Sequence, residues 1–221
     1  MVAPSLVRAD KTVKPVDAAG LVLLRQGTAG LEVLLGRRHA RAGFLPDIYV
    51  FPGGRVERYD ALGEALPLAP GVAAALARAT RRQPSTFLRA ALRETAEETG
   101  LTVPEAAAAH VDFVCRAITP TRSHRRYNTR FFLADGTNAI GELAGNGELE
   151  DLCWWPLAAL SRLAIVDVTE FVLTEALRRW RQRIPIGSEP ARLFCYRGEC
   201  ARWRTADGPW RSPPARVFGS A

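Results

Sequence analysis

The sequence predicts an α/β protein, with strands and helices mixed along one chain of 221 residues. Three observations carry that reading. Strand-sized apolar runs recur between breaks rich in glycine, proline and asparagine. Two longer stretches, 85–99 and 168–183, place their apolar residues at helical spacing. A hydrophobic fraction of 48% supplies a full core, and the length argues against two large domains, so 1–221 is expected to form a single domain.

The elements follow in order. Residues 16–25 and 31–38 read as a hairpin around Gly27-Thr28-Ala29-Gly30. A short strand at 48–51 runs into a turn at Gly53-Gly54. Beyond Pro67 and Pro70, the Ala-rich stretch 71–82 has high helix propensity. The helix at 85–99 has Ser85 as candidate N-cap and Gly100 as left-handed terminator. Strands are expected at 111–118, 127–134 and 152–155. The helix at 168–183 presents Phe171, Val172, Ala176, Leu177 and Trp180 to the far face of the sheet. Residues 193–196 and 201–203 form a terminal hairpin, whose Trp203 together with Trp210 completes the core or forms a homodimer contact, the core being favoured. Only the chain ends are expected to be disordered.

The helix at 85–99 carries the chemistry. In Arg93-Glu94-Thr95-Ala96-Glu97-Glu98-Thr99-Gly100, residues three and four apart are neighbours, so Glu94, Glu97 and Glu98 are expected on one face. Leu88, Leu92, Thr95, Ala96 and Thr99 fall on the other, ready to bury. Like charges at this spacing repel unless a hard cation, Mg²⁺ or Mn²⁺, sits among them. Chance places Arg, three Glu and Gly at this spacing on the order of a few times in ten thousand chains of this length.

Together with Tyr49-Val50-Phe51-Pro52-Gly53-Gly54-Arg55-Val56-Glu57 upstream, this helix resembles the Nudix box, GX5EX7REUXEEXGU. The resemblance covers roughly residues 16–165 and implies an α/β/α sandwich with a mixed sheet. It also implies a diphosphatase that holds divalent metal. There is one departure. The family pattern puts a Glu eight positions before the Arg; if Gly54 opens the box, that position is Asp60, thirty-three before Arg93. About 25 residues are therefore inserted, between 59 and 84, and the expected helix would lie beside the active-site mouth. Residues 185–221 form a C-terminal extension.

An insertion there resembles the coenzyme A diphosphatase branch. Arg37-Arg38-His39-Ala40-Arg41-Ala42-Gly43-Phe44-Leu45-Pro46-Asp47 and Ile118-Thr119-Pro120 followed by 125–132 resemble it too, although Asn128 replaces an expected Asp. The coenzyme A signature is half met: Phe51-Pro52-Gly53-Gly54 fits, while Gly43 and Asp47 stand where Arg and Gly are expected.

By motif position, the resemblance implies Glu97 and Glu98 as metal ligands and Glu94 as third ligand or general base. Arg93 would orient Glu94, and the Gly53 carbonyl would add a metal contact. A downstream acid is expected to complete the site, Glu148 first, then Glu150, then Glu142. Arg37, Arg41, Arg81, Arg82 and Arg125 are the candidate substrate-binding residues, with Arg78, Arg81 and Arg82 placed to reach an adenosine 3′-phosphate. His124 is read as a surface residue.

The net charge of +7 comes almost wholly from arginine, Lys11 and Lys14 being the lysines. Guanidinium groups fork onto phosphate oxygens, which suits a polyanionic small molecule. With no aromatic-interleaved basic tract, the sequence argues against nucleic acid as a partner. No apolar run reaches the length of a membrane span and the first fifteen residues lack a signal-like core, so the cytoplasm is expected. Cys115, Cys153, Cys195 and Cys200 lack CxxC pairing and read as reduced core cysteines. The function that the resemblance implies is hydrolysis of a nucleoside diphosphate linked to another moiety, coenzyme A or acyl-CoA first. ADP-ribose, dinucleotides, nucleoside triphosphates and a non-catalytic binding module are the alternatives.

Overall fold

The computed structural model describes residues 13–215 and 218. The readings of the first fifteen residues and of the chain ends therefore lie largely outside the described residues. Among these residues nine strands join one mixed sheet of order β3-β2-β1-β6-β5-β8-β9, with β4 added to β1 and β7 to β2. The strands are β1 (Val16–Gly27), β2 (Gly30–Arg38), β3 (Tyr49–Val50), β4 (Gly53–Arg55) and β5 (Asp112–Ile118). They continue with β6 (Tyr127–Asp135), β7 (Leu149–Pro156), β8 (Arg192–Arg197) and β9 (Cys200–Arg204). The β1–β6 and β5–β8 pairs are parallel and the remainder antiparallel.

Side chains alternate across a strand, so the apolar run in β1 feeds two cores. Leu21 and Leu23 pack with Phe132 under α1 (Pro70–Ala79) and α2 (Ser85–Thr99), through Val72, Leu76, Phe87, Leu88 and Ala91. Val22 and Leu24 pack with Leu133 under α3 (Asp167–Arg181), through Phe171, Val172 and Ala176. Each fully buried Leu or Phe contributes about 1.5–3 kcal/mol, which explains why β1 sits mid-sheet.

Several local expectations are corrected. Gly53-Gly54 is not a free turn: it is the start of β4, paired Gly20↔Gly53 and Ala19↔Gly54. Proline occupies the N-cap of α2, and Ser85 is inside the helix, its buried hydroxyl without a hydrogen-bond partner. The inserted helix is α1, but it packs beside β5, with Gly71 against the Gly187 carbonyl, where no side chain would fit. Of the cysteines only Cys115 is in the core, where burial pushes its thiol up; Cys153 and Cys200 are exposed. Trp203 does find the core, its ring 5.7 Å from that of Phe171, while Trp210 lies against Arg204.

At the rear of the molecule α3 meets β5 through buried charge. Arg179, 2% exposed, donates to Asp112 at 2.6 Å, to Glu175 at 3.2 Å and to the Pro190 carbonyl at 3.0 Å. Arg178 and Arg192 close the set on Glu175 and Glu189.

Candidate active site

The site is built where α2 crosses β4. Gly100, at φ 73°, ends the helix in a left-handed turn that side chains disfavour. Gly53, at φ 155°, leaves no room for a side chain because a Cβ would strike the Ala19 carbonyl. A Cβ on Gly54 would fall 2.5 Å from both carboxylate oxygens of Glu94. The two glycines thus let the loop backbone lie directly against the acids of the helix.

Arg93 organises that contact. It forks onto Asp60, Nε to Oδ1 at 3.0 Å and Nη2 to Oδ2 at 3.1 Å. It also donates to Glu94 at 2.9 Å, to Glu97 at 3.0 Å and to the Arg55 carbonyl at 3.0 Å. Burial opposes its charge, yet the bonds to Asp60 and Glu94 outweigh this and hold its pKa above the usual range. Asp60 is 1% exposed and also accepts from the Glu57 amide at 2.7 Å. Residues thirty-three apart in sequence are therefore in contact, and the insertion loops out between them. Arg89 steadies its exit by donating to the Asp60 and Glu64 carbonyls.

The three helix acids do not share one solvent face. Glu97 is half exposed, whereas Glu98 is 3% exposed and turned inward, its Oε2 accepting from the Gly53 amide at 2.8 Å. Helical spacing alone puts them together, but β4 lies over one of them. Burial pushes the Glu98 pKa up to about 8; the Gly53 bond opposes this, and the charges of Glu94 and Glu148 add to it. Glu94 is also raised, first by burial, although its ion pair with Arg93 pulls the other way. One shared guanidinium does not offset burial beside Glu97 and Glu148.

These oxygen donors fit a hard divalent cation. Glu98 is a buried carboxylate with no cationic partner within ion-pair distance among the described residues, and Glu94 and Glu148 act on it as like charges. No group of three acidic, His or Cys side chains among the described residues is already drawn into coordinating geometry, because Arg93 holds Glu94 and Glu97.

The other candidates divide. Glu148 is close enough to act on both Glu94 and Glu98, whereas Glu150 is held by Arg37 and His39. Glu142 lies at the end of α2, its carbonyl over Gly100. Arg37 is engaged with Asp47 and Glu150, and Arg82 donates to Asp17 at 3.3 Å. Arg41, Arg78, Arg81, His124 and Arg125 are exposed. The Gly53 contact that the structure contains is its amide on Glu98. Sequence reasoning overlooked Arg38, whose charge acts on Glu98. It also overlooked Tyr49, which donates to Asp151 and whose pKa burial pushes up to about 12. The placement of Arg38 at the end of β2 was the available signal.

Comparison with known proteins agrees with this geometry. Residues 82–177 match the family model described as the NUDIX domain. The acyl-coenzyme A diphosphatase NUDT19 of Gallus gallus is 36% identical over 98 residues, 34% of this chain and 26% of that protein. The chain thus spans about a quarter of the length of that curated relative. A NUDIX hydrolase structure from Alicyclobacillus acidocaldarius is 25% identical and superposes with a TM-score of 0.58, covering 76% of this chain and 93% of that one. The NUDIX domain of Shewanella oneidensis NrtR, solved with ADP ribose, shares the fold at 17% identity and a TM-score of 0.50, covering 76% and 90%. Residues 82–177 thus match a NUDIX domain, and the fold around that segment is similar to that of a NUDIX hydrolase.

Proposed function

We propose that the protein is a metal-dependent diphosphatase acting on a nucleoside diphosphate linked to another moiety, coenzyme A or acyl-CoA first. The observation that carries the reading is Glu98: a carboxylate buried beside two other acids, bonded to the backbone of a glycine loop and, among the described residues, in no ion pair. A structural carboxylate in such a place would have an arginine, as those at the rear do. The partial match to a protein named acyl-coenzyme A diphosphatase supports the coenzyme A choice. ADP-ribose, dinucleotides and nucleoside triphosphates are the alternative substrates.

Glu97, Glu98 and Glu94, with Glu148 from the loop before β7, would hold Mg²⁺ or Mn²⁺. When bound, the cation neutralises the diphosphate charge and lowers the pKa of the attacking water. Asp60 fixes Arg93, and Arg93 fixes the Glu94 carboxylate over Gly54. Glu94, its pKa raised by burial, accepts the proton of the water as it attacks one phosphorus in line; the anhydride oxygen leaves with the other phosphoryl group. Free cysteines, two of them exposed, suit a reducing compartment such as the cytoplasm.

The test is a hydrolysis screen with Mg²⁺ or Mn²⁺ over coenzyme A, ADP-ribose, NADH, dinucleotide polyphosphates and nucleoside triphosphates. At least one is expected to yield two phosphorus-containing products, and EDTA to stop it. Tight binding without turnover across the whole set would replace this reading with that of a binding module.

A further inference from the structure

We infer that Arg125, seated on Gly43, is the arm of a phosphate subsite that recognises a phosphate group outside the cleaved linkage. The inference deepens the proposed function and rests on it for the identity of the ligand. Gly43 lies in the loop between β2 and β3, Arg125 in the loop between β5 and β6. A Cβ at Gly43 would meet Arg125 Nη1 at 2.5 Å, Cζ at 2.7 Å and Nη2 at 2.8 Å. The guanidinium therefore lies flat on the glycine backbone, in space that any side chain at 43 would fill.

The seat is preorganised. Arg38 donates to the Phe44 carbonyl at 2.9 Å, and the Phe44 and Tyr127 rings meet edge to face at 5.2 Å, joining the two loops on either side of the contact. Arg126, 8% exposed, anchors the second loop by donating to the Thr119 carbonyl at 3.2 Å and to the Val13 carbonyl at 2.7 Å. Yet Arg125 itself makes no hydrogen bond or ion pair among the described residues. An exposed guanidinium seated on a glycine backbone, with its donors unused among the described residues, matches the demands of a phosphate group, which accepts from it.

The loop that carries Gly43 also links this place to the acids. It begins at Arg38, whose charge reaches Glu98, and its His39 amide faces the Glu148 carbonyl at 3.4 Å. Five residues of chain span at most about 17 Å, a distance that one nucleotide derivative bridges. Arg82, the earlier candidate for such a contact, is already turned to Asp17.

Isothermal titration in EDTA with adenosine 3′,5′-bisphosphate, ADP and AMP tests the subsite without turnover. The wild type is expected to bind the bisphosphate about tenfold more tightly than AMP, on the scale of charge-assisted hydrogen bonds, with ADP as the control for the cleaved diphosphate. Arg125→Ala should abolish that preference while AMP affinity stays within about twofold and Tm within about 2 °C. Gly43→Ala, which leaves Arg125 in place but fills its seat, should do the same, and Arg125→Lys should retain part. Loss confined to the bisphosphate assigns a ribose phosphomonoester; loss confined to ADP would put Arg125 on the cleaved diphosphate itself and overturn the inference. Equal wild-type affinity for all three nucleotides, or a preference surviving Arg125→Ala or a folded Gly43→Ala, overturns the subsite. A protein inert in the hydrolysis screen that keeps the preference would refute the proposed activity and leave the subsite standing.

Discussion

Two charge clusters sit on opposite faces of the sheet, and they are built on opposite principles. At the rear, Arg178, Arg179 and Arg192 face Asp112, Glu175 and Glu189, and arginine hydrogen bonds and charges overcome burial to pull Glu175 down; Glu189 is lowered as well, first by its bond to Arg178. At the front, Arg93 alone serves Asp60, Glu94 and Glu97, while Glu98 and Glu148 have no ion pair among the described residues. There burial wins, and Glu94 and Glu98 are raised. A balanced cluster joins a helix to a sheet. An unbalanced one is short of positive charge, and that shortage is what a divalent ion bound to a diphosphate would supply.

Exchanging the roles of the two clusters is the way to break this contrast. The largest effect is expected from Glu98→Gln, which should lower turnover about a thousandfold, roughly 4 kcal/mol, without unfolding the protein. Near-normal hydrolysis by the folded variant at limiting Mg²⁺ would remove Glu98 from the metal site. Next comes Arg179→Met at the rear, expected to destabilise by about 3 kcal/mol because Asp112 and Glu175 are left buried without it. Urea denaturation measures this, and the rate per folded molecule should be unchanged; a loss of rate with full stability would mean the rear cluster is not merely structural.

Metal should also act on one cluster only. Mg²⁺ at 100 times its Kd should stabilise the wild type by about 2.7 kcal/mol in thermal melts, and chelation should reverse it. The same addition should stabilise Arg179→Met equally and Glu98→Gln much less. The smallest effect concerns pH. Between its ordinary value of 4.5 and about 8, Glu98 keeps a proton in the folded chain that the unfolded chain has lost. Stability of the metal-free protein should therefore fall as pH rises through that window and level off above it. Glu98→Gln should flatten the slope and be about 2 kcal/mol more stable than wild type at pH 9 in EDTA. A slope unchanged by the substitution would assign it to another group.

The sequence made α2 legible to the residue, because its start follows Pro84 and its end is written in Gly100. The strands were legible wherever an apolar run ended at a turn. The inward turn of Glu98 was not, since helical spacing records angle and not what lies overhead, and β4 was read as a turn. Ser85 was mistaken for a cap because the rule for caps looks at residue type, while Pro84 already fixed the first turn. Arg37 resembled a substrate ligand only until Asp47 and Glu150 were seen to hold it. The meeting of Gly43 with Arg125 joins two loops eighty-two positions apart, which a single sequence does not record.

The detour between Asp60 and Arg93 has a consequence for how the site tolerates change. The entropy of closing a loop grows only with the logarithm of its length, so opening an eight-residue spacing to one of thirty-three costs about 1.3 kcal/mol. A single charge-assisted hydrogen bond contributes about as much, and Arg93 makes two to Asp60. The clasp therefore outweighs the excursion it closes. Residues 62–65, exposed ahead of the buried Leu66, are accordingly where lengthening should matter least to catalysis, and a graft there that keeps Asp60 against Arg93 should leave the acids where they are.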